Sequence, residues 1–158
     1  MNSIMADYYP TFRLYQALRV QLMELLTDED LRFAVGGDNP PLGALCIEIG
    51  EVEHAYIQSF QNGRMDLSYR NPEPGLADSV SQLAVWYKIL DAELEAVISH
   101  LTEEDVKTRP IERGGWSPSV LVQLEVYKEA LLIFYGKVSV YLKAMGKPRP
   151  KQWQEWIA

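Results

Sequence analysis

Few side chains in this sequence are of a type and spacing that could do chemistry, and Glu48 is the foremost of them. It shares a helical stripe with Leu45, Val52, Ala55 and Ser59, because residues three and four apart stack on one face. A carboxylate on an apolar stripe is costly unless it is paired, hydrogen-bonded or metal-bound. One reading has Glu48 reaching water or bonding a Tyr, Arg or Lys inside the fold. The other makes it a pocket carboxylate, acting as ligand or base. On the same helix Glu51 and Glu53 are expected at flanking or exposed angles.

The other candidates carry weaker signals. His54 and His100 are the only histidines, and neither has the paired spacing of the usual zinc patterns. His54 is expected at a boundary or on the surface, and His100 near a helix C-terminus, where a cation suits the dipole. Cys46, the single cysteine, follows the seam residue Leu45 and reads as a small packed side chain. Glu125 and Glu129 are like charges four apart, expected to face water. Trp86, Trp116, Trp153 and Trp156 read as packing residues, with Trp153 and Trp156 placed to fold over one end of the molecule. No phosphate loop, CxxC pair or nucleophile elbow is present.

Four long segments must position these side chains. Apolar residues at helical spacing predict helices over 10–26, 40–61, 76–100 and 117–145. The first carries Tyr15, Leu18, Leu22 and Leu25. Asn39 is the expected N-cap of the second, with Pro40 in its first turn. The third keeps an unbroken rhythm of Val80, Leu83, Tyr87, Leu90, Leu94, Val97 and Leu101. The fourth, capped by Ser117, repeats it through Val120, Leu124, Tyr127, Leu131, Phe134, Val138, Tyr141 and Met145. Gly146 and Pro148 end it. Turns at 36–39, 71–75 and 114–115 separate the helices, and no segment reads as a strand. Narrow, persistent seams of this kind suit bundle packing.

A short phrase recurs. Leu26-Thr27-Asp28-Glu29-Asp30-Leu31 is echoed by Leu101-Thr102-Glu103-Glu104-Asp105-Val106. Each Thr can cap a short helix with an acid three residues on. One reading makes the chain helix, short helix, turn and helix, used twice; the other makes the phrase a common helix start.

The length of 158 residues suits a single domain over 1–158. A net charge of −7 argues against nucleic acid, whose phosphates need a basic face. No apolar run approaches the roughly 20 residues of a membrane span, and the first ten residues lack the features of a signal peptide. With one cysteine, the expected compartment is the cytoplasm.

Residues 39–57 (NPPLGALCIEIGEVEHAYI) and 117–150, with LLTDEDL before the first and a tryptophan-containing tail after the second, resemble the DinB/YfiT-like superfamily. The resemblance implies an all-α, up-down-down-up four-helix bundle, often a homodimer. It also implies three histidines around a divalent metal, one in the second helix and two, four apart, in the fourth. At the matching positions this sequence has Glu48, Ala130 and Phe134; Gly136 is retained and Lys137 replaces a glutamine. Ala130 offers no donor and Phe134 adds bulk where a cation would sit. The expectation is a metal-free member with no cofactor, acting as a small-molecule-binding or interaction module, with Glu48, Tyr127, Ala130 and Phe134 as pocket candidates. A second reading is a divergent enzyme, of metal-dependent hydrolase or thiol S-transferase type, using Glu48 with Tyr127 or Tyr135. A third is a structural, homodimerising bundle.

Overall fold

The computed structural model describes residues 1–157. Six helices run in order: α1 Tyr9–Leu25, α2 Leu42–Asn62, α3 Val80–His100, α4 Glu103–Thr108, α5 Val120–Ala144 and α6 Lys151–Trp156. The fold is an all-α helical bundle of α1, α2, α3 and α5. Single helical turns at Asp30–Arg32 and Leu76–Asp78 lead into α2 and α3.

Side-chain contacts fix the helix directions. Arg13 pairs with Glu95 and Arg19 with Asp91, so α1 and α3 are antiparallel. The Tyr87 hydroxyl donates to the Cys46 carbonyl at 2.5 Å, and the start of α2 meets Ala77, so α2 and α3 run parallel. Tyr141 donates to Pro40 O at 2.6 Å and Gln123 to Ser59 Oγ at 2.9 Å, which makes α5 antiparallel to α2. Phe12 packs on Tyr127 and Tyr15 accepts from Tyr135, so α5 runs with α1. The result is up-down-down-up, with α1 and α2 each flanked by α3 and α5.

The predicted helices are present, with starts that shift for local reasons. Pro40 precedes Pro41 and is thereby steered out of the helical region; α2 therefore starts at Leu42, not Pro40. Asn39 does not cap it. Its side chain instead donates to Gly36 O at 2.7 Å within the preceding turn. In α5 the cap is Ser119, which accepts from Val122 N, not Ser117. Residues 117–119 are held extended, since Pro118 O accepts from Ile111 N at 2.9 Å. Likewise Ser79, not a residue near 76, caps α3 by accepting from Gln82 N. At the far end of α5, Gly146 has φ +69°. Gly146 N donates to Lys143 O and Lys147 N to Leu142 O, the paired bonds of a Schellman stop.

The recurring phrase has the same geometry at both sites. Thr27 N donates to Asp30 Oδ2 at 2.8 Å, and Thr102 N to Asp105 Oδ2 at 2.9 Å. Each acid's backbone N–H points back at the threonine oxygen. The two copies sit between α1 and α2 and between α3 and α5. Exchanging α1 with α3 and α2 with α5 therefore preserves the connectivity and the relative directions of the helices.

Trp153 folds back as the spacing of the tail suggests. It is fully buried, stacks edge-on against Tyr135 and donates Nε1 to Leu18 O at 3.0 Å. Trp156 packs on Tyr15 and stays partly exposed. Among the described residues no helix is long and apolar enough to cross a membrane.

Candidate functional site

The helix seams meet at a charged centre. Arg19 of α1 and Glu53 of α2 are both completely buried. One guanidinium nitrogen, Nη2, donates to Glu53 Oε2 at 2.5 Å and to Asp91 Oδ1 of α3 at 2.8 Å. Gln16 Nε2, one turn before Arg19, also donates to Asp91 Oδ1, at 2.7 Å. The guanidinium lies over the Tyr87 ring, 4.0 Å from its centroid, which supplies a cation–π contact where hydrogen bonds are few. Arg19 Nε and Nη1, Glu53 Oε1 and the Tyr127 hydroxyl have no hydrogen-bond partner. Such groups carry a desolvation cost in a bundle interior.

The charges do not balance. One guanidinium faces two carboxylates, and only the Asp91 side chain, 24% exposed, reaches solvent. Burial pushes the Glu53 carboxyl up to about 7; Arg19 pulls it down, while Asp91 pushes it further up. Arg19 is held charged, its pKa raised by Glu53 and Asp91 despite burial. Burial also carries the hydroxyls of Tyr87 and Tyr127 well above their ordinary range. The centre thus sets one guanidinium against two carboxylates, and Glu53 is the one whose protonated form burial favours.

This corrects the sequence reading of α2. Glu53, expected at an exposed angle, is the buried carboxylate, and Glu48, expected on the seam, is exposed. The two are five positions apart, roughly 140° around a helix, so a phase that turns Glu53 inward turns Glu48 outward. Glu48, Ala130 and Phe134 are nonetheless brought together: with Lys137 they line a shallow groove of about 140 Å³ between α2 and α5. Tyr127 does not join them. It is buried between Phe12 and Tyr56 at the core. Tyr135 is buried on the α1 side, donating to Tyr15 O at 2.6 Å. The pocket of four candidates is therefore three residues at a groove and one beside the ionic centre.

The remaining candidates are structural in their contacts. Cys46 is buried and its thiol is pushed up to about 12 by desolvation, far from a thiolate. His100 Nδ1 lies 2.6 Å from Ala96 O at the end of α3, and His54 stacks on Tyr69. Glu129 faces water as expected; Glu125 is half-buried and pairs with Lys128 at 2.5 Å.

A larger cavity, about 780 Å³, opens between α1 and α3. Val20, Met23, Val80 and Ala84 form its walls with the Tyr87 ring, and Asp91 links it to the buried centre. Glu24, Asp28, Ser81 and Lys88 complete the lining. Among the described residues no three His, Cys, Asp or Glu side chains converge as a metal site requires.

A parallel–antiparallel bundle of this connectivity is the fold of the DinB-like proteins. A DinB-like protein of Bacillus cereus ATCC 10987 superposes with a TM-score of 0.72 at 16% identity, over 90% of this chain and 93% of its own. The DinB-like protein YjoA of Bacillus subtilis does so with a TM-score of 0.68 at 18% identity, over 86% and 90%. No protein-family model matches the sequence, and no curated protein matches it. At these identities the likeness speaks for the fold.

Proposed function

We propose that this DinB-like chain is a metal-free module that binds a small molecule. The observation that carries the reading is the donor set of the groove between α2 and α5. There Glu48 is the sole carboxylate, beside Ala130, Phe134 and the cationic Lys137. A divalent metal needs several converging donors, and a lysine ammonium in the same groove opposes a second cation. The residues present do not fit the metal that the resemblance implies. The groove is also smaller than the roughly 300–1,000 Å³ of small-molecule sites, whereas the α1/α3 cavity falls within that range. Elemental mass spectrometry on untagged protein purified without chelator tests the reading. The expected result is well below one metal per chain; one nickel, zinc, manganese or iron per chain overturns it.

A homodimer is part of the proposal. Val85 and Ile89 on α3, and Ile133 and Val140 on α5, are exposed apolar side chains that a second copy would cover. Light scattering across a concentration series should give twice the chain mass, and a monomer at high concentration would remove this part.

A further inference from the structure

We propose that the cavity between α1 and α3 binds an organic cation, an ammonium group on an apolar body, with the ammonium at Asp91. The inference rests on the reading of the chain as a binder and names the class of ligand.

Shape and lining set the body of the ligand. The 780 Å³ cavity is walled by Val20, Met23, Val80 and Ala84, with the Tyr87 ring beside them. Val20 is 52% exposed although it is apolar, so the wall is open to a guest. Aliphatic and aromatic surface would be buried here at roughly 25 cal/mol per Å².

Charge sets the head. Asp91 directs Oδ1 to both Arg19 and Gln16, and Oδ2 accepts no hydrogen bond from the protein. Behind it, Arg19 is the one cation against Glu53 and Asp91. Glu24 and Asp28 add negative charge at the cavity, against Lys88 as the one base there among the described residues. An anionic head would face three carboxylates. A neutral guest would strip water from Asp91 Oδ2 and return at most an uncharged donor. An ammonium gives Oδ2 a charge-assisted donor and balances the second carboxylate of the buried centre.

Three probes with one indole body and different heads separate these terms: tryptamine, tryptophol and indole-3-propionate. Isothermal calorimetry on the full chain at pH 7 should give saturable tryptamine binding. Tryptophol and indole-3-propionate should bind at least ten-fold more weakly. Amide shifts on tryptamine addition should map to Val20, Met23, Ala84 and Lys88. Asp91→Asn should weaken tryptamine at least ten-fold. Because Asp91→Asn also disturbs Arg19, Ala84→Leu provides a second variant, which narrows the cavity without changing a charge and should weaken tryptamine as well. Equal binding of the three probes, no saturable binding of any, or amide shifts confined to the α2/α5 groove would overturn the proposal. Its failure is distinguishable from that of the metal-free reading: a chain lacking metal that ignores tryptamine refutes only the ligand class. A metal-loaded chain that binds tryptamine at Asp91 refutes only the metal-free reading.

Discussion

Replacing Glu53 by glutamine should change how stability depends on pH, and the buried centre fixes both sign and size. Glu53 faces Arg19 and Tyr9 from α1, Asp91 from α3, and Tyr127 and Tyr135 from α5. Its carboxyl titrates at about 7 in the fold against 4.5 when free. The folded chain therefore holds a proton that the unfolded chain has released between those values. Stability from this group is fully present below about 4.5 and is lost as pH rises to about 7. A difference of that size corresponds to about 3 kcal/mol, a large share of a typical 5–15 kcal/mol total. Glutamine keeps the shape, still accepts from Arg19 and does not titrate. Urea denaturation of both proteins from pH 4.5 to 8 is the assay. The difference in unfolding free energy should move in favour of Glu53→Gln by about 3 kcal/mol across that range. Asp30, Asp66, Glu103 and Asp105, whose pKa values lie below their ordinary range, gain stability as pH rises through a lower window. They are common to both proteins and cancel. Parallel profiles, within about 0.5 kcal/mol, would mean that Glu53 is ionised throughout and that the account of the centre is wrong.

Four further outcomes follow from the packing. Arg19→Met strands two carboxylates and should cost about 3–5 kcal/mol in urea denaturation, most of it regained when Glu53→Leu is added. A Cβ at Gly43 would stand 2.0 Å from the Ala77 carbonyl oxygen, so Gly43→Ala should destabilise by about 1–3 kcal/mol. By contrast nothing lies within 4 Å at Gly136, and Gly136→Ala should stabilise α5 by about 0.5–1 kcal/mol in the same assay. Trp153→Ala should cost about 3–5 kcal/mol and lower the melting temperature, since it removes a fully buried ring and its bond to Leu18.

The bundle was legible because its signals are local and redundant. Leu83, Tyr87, Leu90, Leu94, Leu124, Tyr127, Leu131, Phe134 and Val138 recur on one phase along two long helices, and all are buried. Gly146 and the two threonine caps act within a few residues of themselves, so their chemistry reads directly. The misplaced starts of α2 and α5 have a shared cause. A cap residue can serve a neighbouring turn or an extended pairing instead: Asn39 ties down the turn before α2, and Ser117 gives way as cap to Ser119, two residues on. Helix directions are long-range, and only the resemblance supplied them.

The ionic centre was missed for a different reason. In a square bundle each helix faces two neighbours, so its buried face is wide and admits two phases. Along α2 the stripe Leu45, Val52, Ala55 and Ser59 and the stripe Ile49, Tyr56 and Phe60 are both apolar, and the first brings Glu48 inward while the second brings Glu53. Periodicity of one helix cannot choose between them. The deciding signal lay in the partner: a buried carboxylate needs a buried cation, and α1 holds Arg19 on the stripe Phe12, Gln16, Arg19, Met23, all of it buried. Two polar residues on an apolar stripe of one helix, facing an acid on an apolar stripe of another, are a mutually consistent pair, whereas no such partner stands inward for Glu48. Pairing polar exceptions across helices, not ranking them within one, would have located Arg19 and Glu53, and Asp91 follows as the acid four residues after Tyr87.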